Sequence, residues 1–71
     1  MTPPVGSYVV DIRTGQVGRL MGEAGARLLL RPVGGGREWE CEPDAVRPAT
    51  AAERISATTA YVNARSRGEV T

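Results

Sequence analysis

A chain of 71 residues provides enough material for one small domain, which buries only about 60% of the surface that its unfolded chain exposes. Hydrophobic residues make up 41% of the chain and charged residues 24%, which is close to ordinary globular usage and favours a folded domain over wholesale disorder. The formal net charge is +1, which is not the strongly basic balance expected of a general nucleic-acid binder. Histidine is absent and cysteine occurs once, which removes most metal sites and most nucleophile–base pairs.

The N-terminal segment, residues 1–6, contains two prolines and a glycine and predicts a short extended arm. It lacks the basic and apolar regions of a signal peptide. The longest purely aliphatic run is Leu28–Leu30, far below the roughly 20 apolar residues of a membrane span. We therefore expect a cytoplasmic protein that does not enter a membrane.

Two strands and a tight turn are expected after the arm. Alternating β-branched, aromatic and polar residues predict a strand from Ser7. A turn at residues 13–16, in which Gly15 supplies the positive φ, leads into a second strand at residues 17–21. Gly18 within that strand predicts a bulge or a close approach of another part of the chain.

Two more strands and their glycine-rich turns follow. The turns are predicted at residues 22–25 and 34–36, and the strands at residues 26–31 and 37–42. The fourth strand alternates strictly, so that Trp39 and Cys41 share one face and glutamates occupy the other. Residues 43–46 are typical of a single helical turn, and residues 46–48 predict a brief fifth strand.

The hydrophobic period changes at Thr50. Thr50 and Glu53 fit a capping box, in which each side chain accepts a hydrogen bond from the backbone of the other residue. A three- and four-residue spacing then predicts a helix over about residues 51–66, on a face formed by Ala51, Ile55, Thr58, Val62 and Arg65. The apolar stripe on this helix is thin. An isolated helix of this length is marginal in water, so we expect it to dock on the sheet or on a partner.

Short antiparallel strands joined by glycine turns are typical of a small open barrel. The run from Val5 to Asp11, with Thr14 to Leu20 after it, resembles the opening hairpin of SH3-like and KOW-type barrels. Residues 42–48 are similar to the helical turn and last strand that close such barrels. Over residues 5–48 the chain thus resembles small SH3-like barrel proteins of actinobacteria.

These observations predict a mainly β fold, a small SH3-like open barrel of four to five antiparallel strands with one C-terminal α-helix. Residues 1–6 are the extended N-terminal arm and residues 7–48 the barrel. Residues 50–67 are the helix, packed on the barrel or on a partner.

Trp39 is the largest apolar side chain, and an aromatic residue of this kind buries about 150–250 Å². Two interpretations are open: packing in the core or at its rim, and an aromatic platform for a ligand together with Tyr8. Cys41 shares the face of Trp39 and is expected to be a small buried hydrophobic residue in a reducing compartment.

Charges alternate along the third and fourth strands. Arg27 and Arg31 stand on the third strand, and Glu38, Glu40 and Glu42 stand on the fourth. Arginine opposite glutamate is a normal way to stabilise an exposed antiparallel face. Partner recognition is an alternative, and a site for a hard cation or an acid–base pair is a weaker one.

Leu29 lies on the same face as these charges, so the leucine run is apolar on both sides. Either the C-terminal helix covers the outer side through Ile55, Tyr61 and Val62, or a second chain does.

We therefore expect a non-enzymatic binding or regulatory module, with a protein partner or a second copy of the chain as its ligand. No catalytic residue, metal ligand, cofactor or small-molecule substrate is predicted, because nothing assembles a nucleophile, a base and an oxyanion donor. The predicted partner-binding residues are Leu29, Arg27, Arg31, Glu38, Glu40, Ile55, Tyr61 and Val62. The alternative is a KOW-like barrel that binds nucleic acid through Arg13, Arg19 and Arg37.

Overall fold

The computed structural model describes residues 3–66, and in them five strands form one antiparallel sheet that is followed by a helix. The strands are β1 (Tyr8–Asp11), β2 (Gln16–Ala24), β3 (Arg27–Pro32), β4 (Trp39–Cys41) and β5 (Val46–Pro48). A 3₁₀ turn spans Pro43–Ala45, and the helix α1 spans Ala51–Ser66. The strand order is β4-β3-β2-β1-β5, the sheet is not closed, and the arrangement matches a small open SH3-like barrel. The predicted fold class is confirmed.

The first hairpin forms as its sequence predicts. Asp11 pairs with Gln16 at the end of the ladder, and the amide of Gly15 donates to the carbonyl of Asp11 over 2.7 Å. Gly15 has φ of 79°, a conformation that residues with a Cβ avoid, so the turn depends on this glycine.

Strand β2 is longer than predicted. It continues to Ala24, and the turn that was expected at residues 22–25 lies at Gly25 and Ala26 instead. The pairing with β3 slips by one residue between Leu20 and Gly22, so the bulge lies here and not at Gly18. This extra residue bends the strand without ending it, and Gly22 pairs with Leu29 inside the ladder.

The core lies on one face of the sheet. Its buried residues are Val9, Leu20, Leu28, Leu30 and Cys41, and the partly buried Trp39, Ala45 and Val46 pack against them. Each large aliphatic side chain removed from water in this way stabilises the fold by about 1.5–3 kcal/mol. Strand β4 is shorter than predicted, with three residues, but it delivers Trp39 and Cys41 to this face as expected.

The 3₁₀ turn and β5 complete the sheet on its other edge. The amide of Ile12 donates to the carbonyl of Ala45 over 2.9 Å, and the amide of Ala49 donates to that of Tyr8 over 2.9 Å. Strand β5 pairs with β1, so the chain returns to its first strand before the helix begins.

Helix α1 begins with the predicted capping box. The amide of Thr50 donates to Glu53 Oε1 over 2.9 Å, and the amide of Glu53 donates to Thr50 Oγ1 over 3.1 Å. Arg47 on β5 also donates to Glu53 Oε1 over 2.8 Å, which ties the first turn of the helix to the barrel. Within residues 3–66, no helix is both long and apolar enough to cross a membrane.

Candidate functional site

Asp11 is the only charged residue that is fully buried in the described part of the chain, with 0% of its surface exposed. Its carboxylate accepts hydrogen bonds from the backbone amide, Nε and Nη2 of Arg13, over 3.0, 3.2 and 3.1 Å. The indole Nε1 of Trp39 donates a further bond of 3.0 Å. These donors, the Arg13 guanidinium foremost, hold the pKa of Asp11 far below its ordinary value, although burial alone would raise it.

Trp39 packs into the structure rather than facing outward. A Cβ placed on Gly18 would lie 2.7 Å from Cη2 of the indole and 3.0 Å from the carbonyl oxygen of Arg31. Gly18 therefore marks the close approach that the sequence predicts. The platform with Tyr8 does not form, because Tyr8 alternates with the buried Val9 and lies on the opposite face of the sheet.

Cys41 is a buried free thiol beside the same cluster. Burial raises the pKa of this thiol, and the negative charge of Asp11 raises it further. Its Sγ lies 3.7 Å from the carbonyl oxygen of Ala45. In the described residues no buried side-chain nitrogen or oxygen lacks a hydrogen-bond partner, so the contacts among Asp11, Arg13 and Trp39 stabilise the fold.

Asp11 is not among the residues predicted to have a role. A signal was present, because Asp11 is two residues from Val9 and so points to the core face of β1. A carboxylate on that face needs donors, and Arg13 and Trp39 are the groups that supply them.

The arginines of β3 pair with the glutamates on and next to β4. Arg27 lies 3.1 Å from Glu42 and 3.8 Å from Glu40, and Arg31 lies 3.0 Å from Glu38. This confirms the arginine-opposite-glutamate interpretation of the pattern. Exposed pairs of this kind contribute about 0.2–1 kcal/mol each, and they leave little uncompensated charge on this face.

The helix does not cover Leu29 through the residues that were expected to do so. Ile55 is 62% exposed and Val62 45% exposed, whereas Leu29 is half-buried opposite Gly22 and Glu40. That expectation is wrong for Ile55 and Val62, because α1 turns its small residues toward the barrel. The structure does not describe the side chain of Tyr61. Residue 67, with which the predicted helix ends, lies outside the described residues.

The residues of α1 that face the barrel line a cleft beside the first hairpin. They are Ala52, Glu53, Ser56, Ala57 and Ala60, and they face Gly15 and Val17. Four of the five are alanine or serine. Glu53 and Ala57 are half-buried, whereas Ala52, Ser56 and Ala60 are exposed, so an open cleft separates this side of the helix from the hairpin. The large aliphatic side chains Ile55 and Val62 are also exposed.

The three arginines of the nucleic-acid alternative are not brought together. Arg13 is held on the carboxylate of Asp11, at the core side of β1. Arg19 pairs with Tyr8 on the opposite face and donates from Nε to the carbonyl of Gly6 over 3.2 Å. Arg37 is exposed in the connection between β3 and β4. These three residues therefore form no common surface. Binding of nucleic acid stays a prediction.

Comparison with known proteins gives no relative from which a function could be transferred. No family model matches the chain, no curated protein matches it, and no solved structure matches it. Across residues 3–66, no three histidine, cysteine, aspartate or glutamate side chains are grouped as metal ligands would be.

Proposed function

We propose that this protein is a non-enzymatic binding module that presents α1 to an apolar groove of a partner protein. The observation that carries the proposal is the orientation of the helix. Its two large described aliphatic side chains, Ile55 and Val62, are exposed, while alanine and serine face the barrel. The free thiol of Cys41 is compatible with action in the reducing cytoplasm.

The spacing of the exposed residues suits this mode of binding. Ile55 and Val62 are seven residues apart, which places them on one face of the helix two turns apart. Thr58 and Thr59 lie between them and are exposed. Positions i, i+3, i+4 and i+7 are those through which an amphipathic helix enters a groove.

The barrel holds the helix ready for binding. The capping box of Thr50 and Glu53 fixes its first turn, and the ion pair of Glu53 with Arg47 fixes that turn on β5. A helix that is already formed loses less conformational entropy on binding than a disordered peptide of the same sequence. The barrel therefore acts as a scaffold for the helix.

A groove in a different protein fits this face better than a second copy of the chain. A stable interface buries about 800 Å² on each partner, and a symmetric contact made by two aliphatic side chains falls well short of that. A groove contacts the flanks of the helix as well and so buries more of it. The residues Arg27, Arg31, Glu38 and Glu40 add less, since their charges are already paired.

Site-specific photo-cross-linking tests the proposal in the cells that make the protein. A benzophenone amino acid at Thr59 should cross-link one discrete protein, whereas the same group at Ile12 should not. Ile12 is a matched control, since it is 55% exposed but lies in the first turn of the barrel. The cross-link from Thr59 should disappear in the I55S/V62S double variant and persist in I12S.

Three results would overturn the proposal. They are equal cross-linking from both positions, a cross-link from Thr59 that survives I55S/V62S, and a product with the mass of two copies of this chain. Circular dichroism of I55S/V62S should match that of the native protein, because neither side chain is buried.

Nucleic-acid binding through Arg13, Arg19 and Arg37 is the second candidate. Arg37 is exposed, and neither Arg19 nor Arg37 has an ion pair within residues 3–66. Such binding would weaken steeply with salt, with a slope that counts the phosphates neutralised. Absence of binding at low ionic strength would exclude it.

A further inference from the structure

We infer that a groove beside Tyr8 binds a short acidic peptide segment. This Tyr8 groove has a volume of about 390 Å³ and lies between the start of β1, the end of β5 and the first turn of α1. Its principal lining residues are Gly6, Ser7, Tyr8, Pro48, Thr50 and Arg54. The inference goes beyond the proposed function, because it concerns a surface other than the Ile55 and Val62 face.

One guanidinium group lines the groove and a second lies next to one of its lining residues. The guanidinium carbon of Arg54 lies 5.2 Å from the centre of the Tyr8 ring, which is the geometry of a cation–π contact. Arg19 is the cross-strand partner of Tyr8, and its Nε donates to the carbonyl of Gly6. A guanidinium has five N–H donors. The contact of Arg54 with the ring and the single hydrogen bond of Arg19 to Gly6 therefore leave donors on both groups for a further acceptor.

The charges of the described residues indicate what that acceptor is. Four arginines each have a carboxylate within 4 Å: Arg13, Arg27, Arg31 and Arg47. Arg19 and Arg54 have no ion pair with any acid in residues 3–66. Arg54 lines the groove, and Arg19 is hydrogen-bonded to the lining residue Gly6. Two guanidiniums with no acid partner in residues 3–66, one over the Tyr8 ring and one at the paired position on β2, are complementary to carboxylates, which arginine binds bidentately.

A short acidic peptide fits the groove better than a nucleic-acid strand. One face of Tyr8 is already covered by Arg54, so the stacking surface that a base needs is reduced. A polyanion also needs a track of cations, whereas the net charge of the chain is +1 and most of the described arginines are paired with acids. In a peptide with one carboxylate on either side of a small apolar residue, the carboxylates would bind Arg19 and Arg54. The apolar residue would contact the Tyr8 ring and Pro48 between them.

Titration of the ¹⁵N-labelled full chain with an acetylated hexaglutamate peptide tests the inference. At low salt we expect a Kd of about 0.1–1 mM, with amide shifts concentrated at Gly6, Ser7, Tyr8 and Thr50. R19A and R54A should each weaken binding about fivefold or more. R54K should bind less tightly than the native chain but better than R54A, since it keeps the charge and loses the bidentate geometry.

Matched controls separate this site from general charge attraction. R37A removes an exposed arginine in the β3–β4 connection that also has no ion pair in residues 3–66, and it should change the Kd less than twofold. A hexaglutamine peptide should produce no shifts at the groove. I55S/V62S should bind hexaglutamate as the native chain does, which keeps this result independent of the helix proposal.

The inference is overturned if R37A weakens binding as much as R54A, or if hexaglutamine shifts the same amides. It is also overturned if a six-nucleotide thymidine strand binds more tightly than hexaglutamate and depends on Arg37, which would point to nucleic acid. The titration spectra themselves report whether each variant is folded. If R54A perturbs the helix, R19A and R54K decide the outcome.

Discussion

The indole Nε1–H of Trp39 donates a hydrogen bond of 3.0 Å to Oδ2 of Asp11, and this bond joins two strands that are not neighbours in the sheet. Strands β3 and β2 lie between β4, which carries Trp39, and β1, which carries Asp11. Because the sheet is not closed by backbone pairing, this side-chain bond links its two sides. The same carboxylate orients Arg13, so one buried acid positions two other residues.

Trp39→Phe should lower the free energy of unfolding by about 1–3 kcal/mol, since it removes the indole donor while keeping an aromatic ring in place. Asp11→Ala should cost about 3 kcal/mol, because it leaves the indole N–H and the amide of Arg13 without their acceptor. Urea unfolding followed by circular dichroism measures both.

The double variant tests the bond itself. Its loss should be smaller than the sum of the two single losses by about 1–2 kcal/mol. Losses that simply add would show that Asp11 and Trp39 stabilise the fold independently.

Gly18→Ala should destabilise the protein by about 1–3 kcal/mol, because the added methyl group would meet the Trp39 ring and the Arg31 carbonyl. Gly22→Ala is the matched control on the same strand. No heavy atom lies within 4 Å of the position of its Cβ, so it should be neutral or slightly stabilising. The melting temperature, measured by thermal unfolding, should fall clearly in Gly18→Ala and hardly change in Gly22→Ala. Equal shifts would contradict the close approach of Trp39 to Gly18.

The parts of the fold that follow from local chemistry were predictable. Gly15 was expected in the first turn because the turn needs a positive φ, and Thr50 and Glu53 because their spacing matches a capping box. The pairing of Arg27 and Arg31 with glutamates follows from strand alternation. Each of these depends on residues within one hairpin or one helical turn.

The parts that depend on distant packing were not predictable. Gly22 and Gly25 both favour a turn, because both are glycines. Only the pairing with β3 decides that the strand bends near Gly22 and that the chain turns at Gly25. The orientation of α1 was missed for a similar reason. The spacing of Ile55 and Val62 suggests that they face the barrel, but both are exposed, and Glu53 and Ala57 are the half-buried residues beside the first hairpin.

Thr50→Ala should destabilise the protein by about 1 kcal/mol, because the amide of Glu53 loses its acceptor at the start of α1. Thr59→Ala is the control, since Thr59 is an exposed residue in the middle of the same helix. Helical circular dichroism and amide exchange in the first turn should change in the first variant and not in the second. Equal protection of that turn in both variants would show that the capping box is dispensable.

Cys41 should react very slowly with a disulfide reagent such as DTNB while the protein is folded. Its side chain is buried and its thiol pKa is raised, so both access and the thiolate population are low. The reaction should reach the rate of an ordinary thiol once urea unfolds the chain. A fast reaction under native conditions would show that β4 opens readily from β3.

The free energy of unfolding should decrease as the pH falls below about 5. The guanidinium of Arg13 and the indole of Trp39 hold the pKa of Asp11 far below 3.8, and Arg47 with the amide of Thr50 lowers the pKa of Glu53 from 4.5 to about 2. Because both carboxyls have a lower pKa in the folded chain, the unfolded chain binds more protons in acid. Their contribution is thus complete above the unfolded values and is lost progressively as the pH falls toward 2.

Asp11→Asn separates the two groups. The variant should be less stable than the native chain at pH 7, but its urea midpoint should change less between pH 7 and pH 2.5, because one of the two shifted carboxyls is gone. Glu23→Gln is the control, since Glu23 is exposed and takes part in no ion pair within residues 3–66. An Asp11→Asn profile parallel to the native one would show that the carboxylate of Asp11 does not carry the acid sensitivity, and the Arg13 and Trp39 hydrogen bonds would then act without regard to its charge.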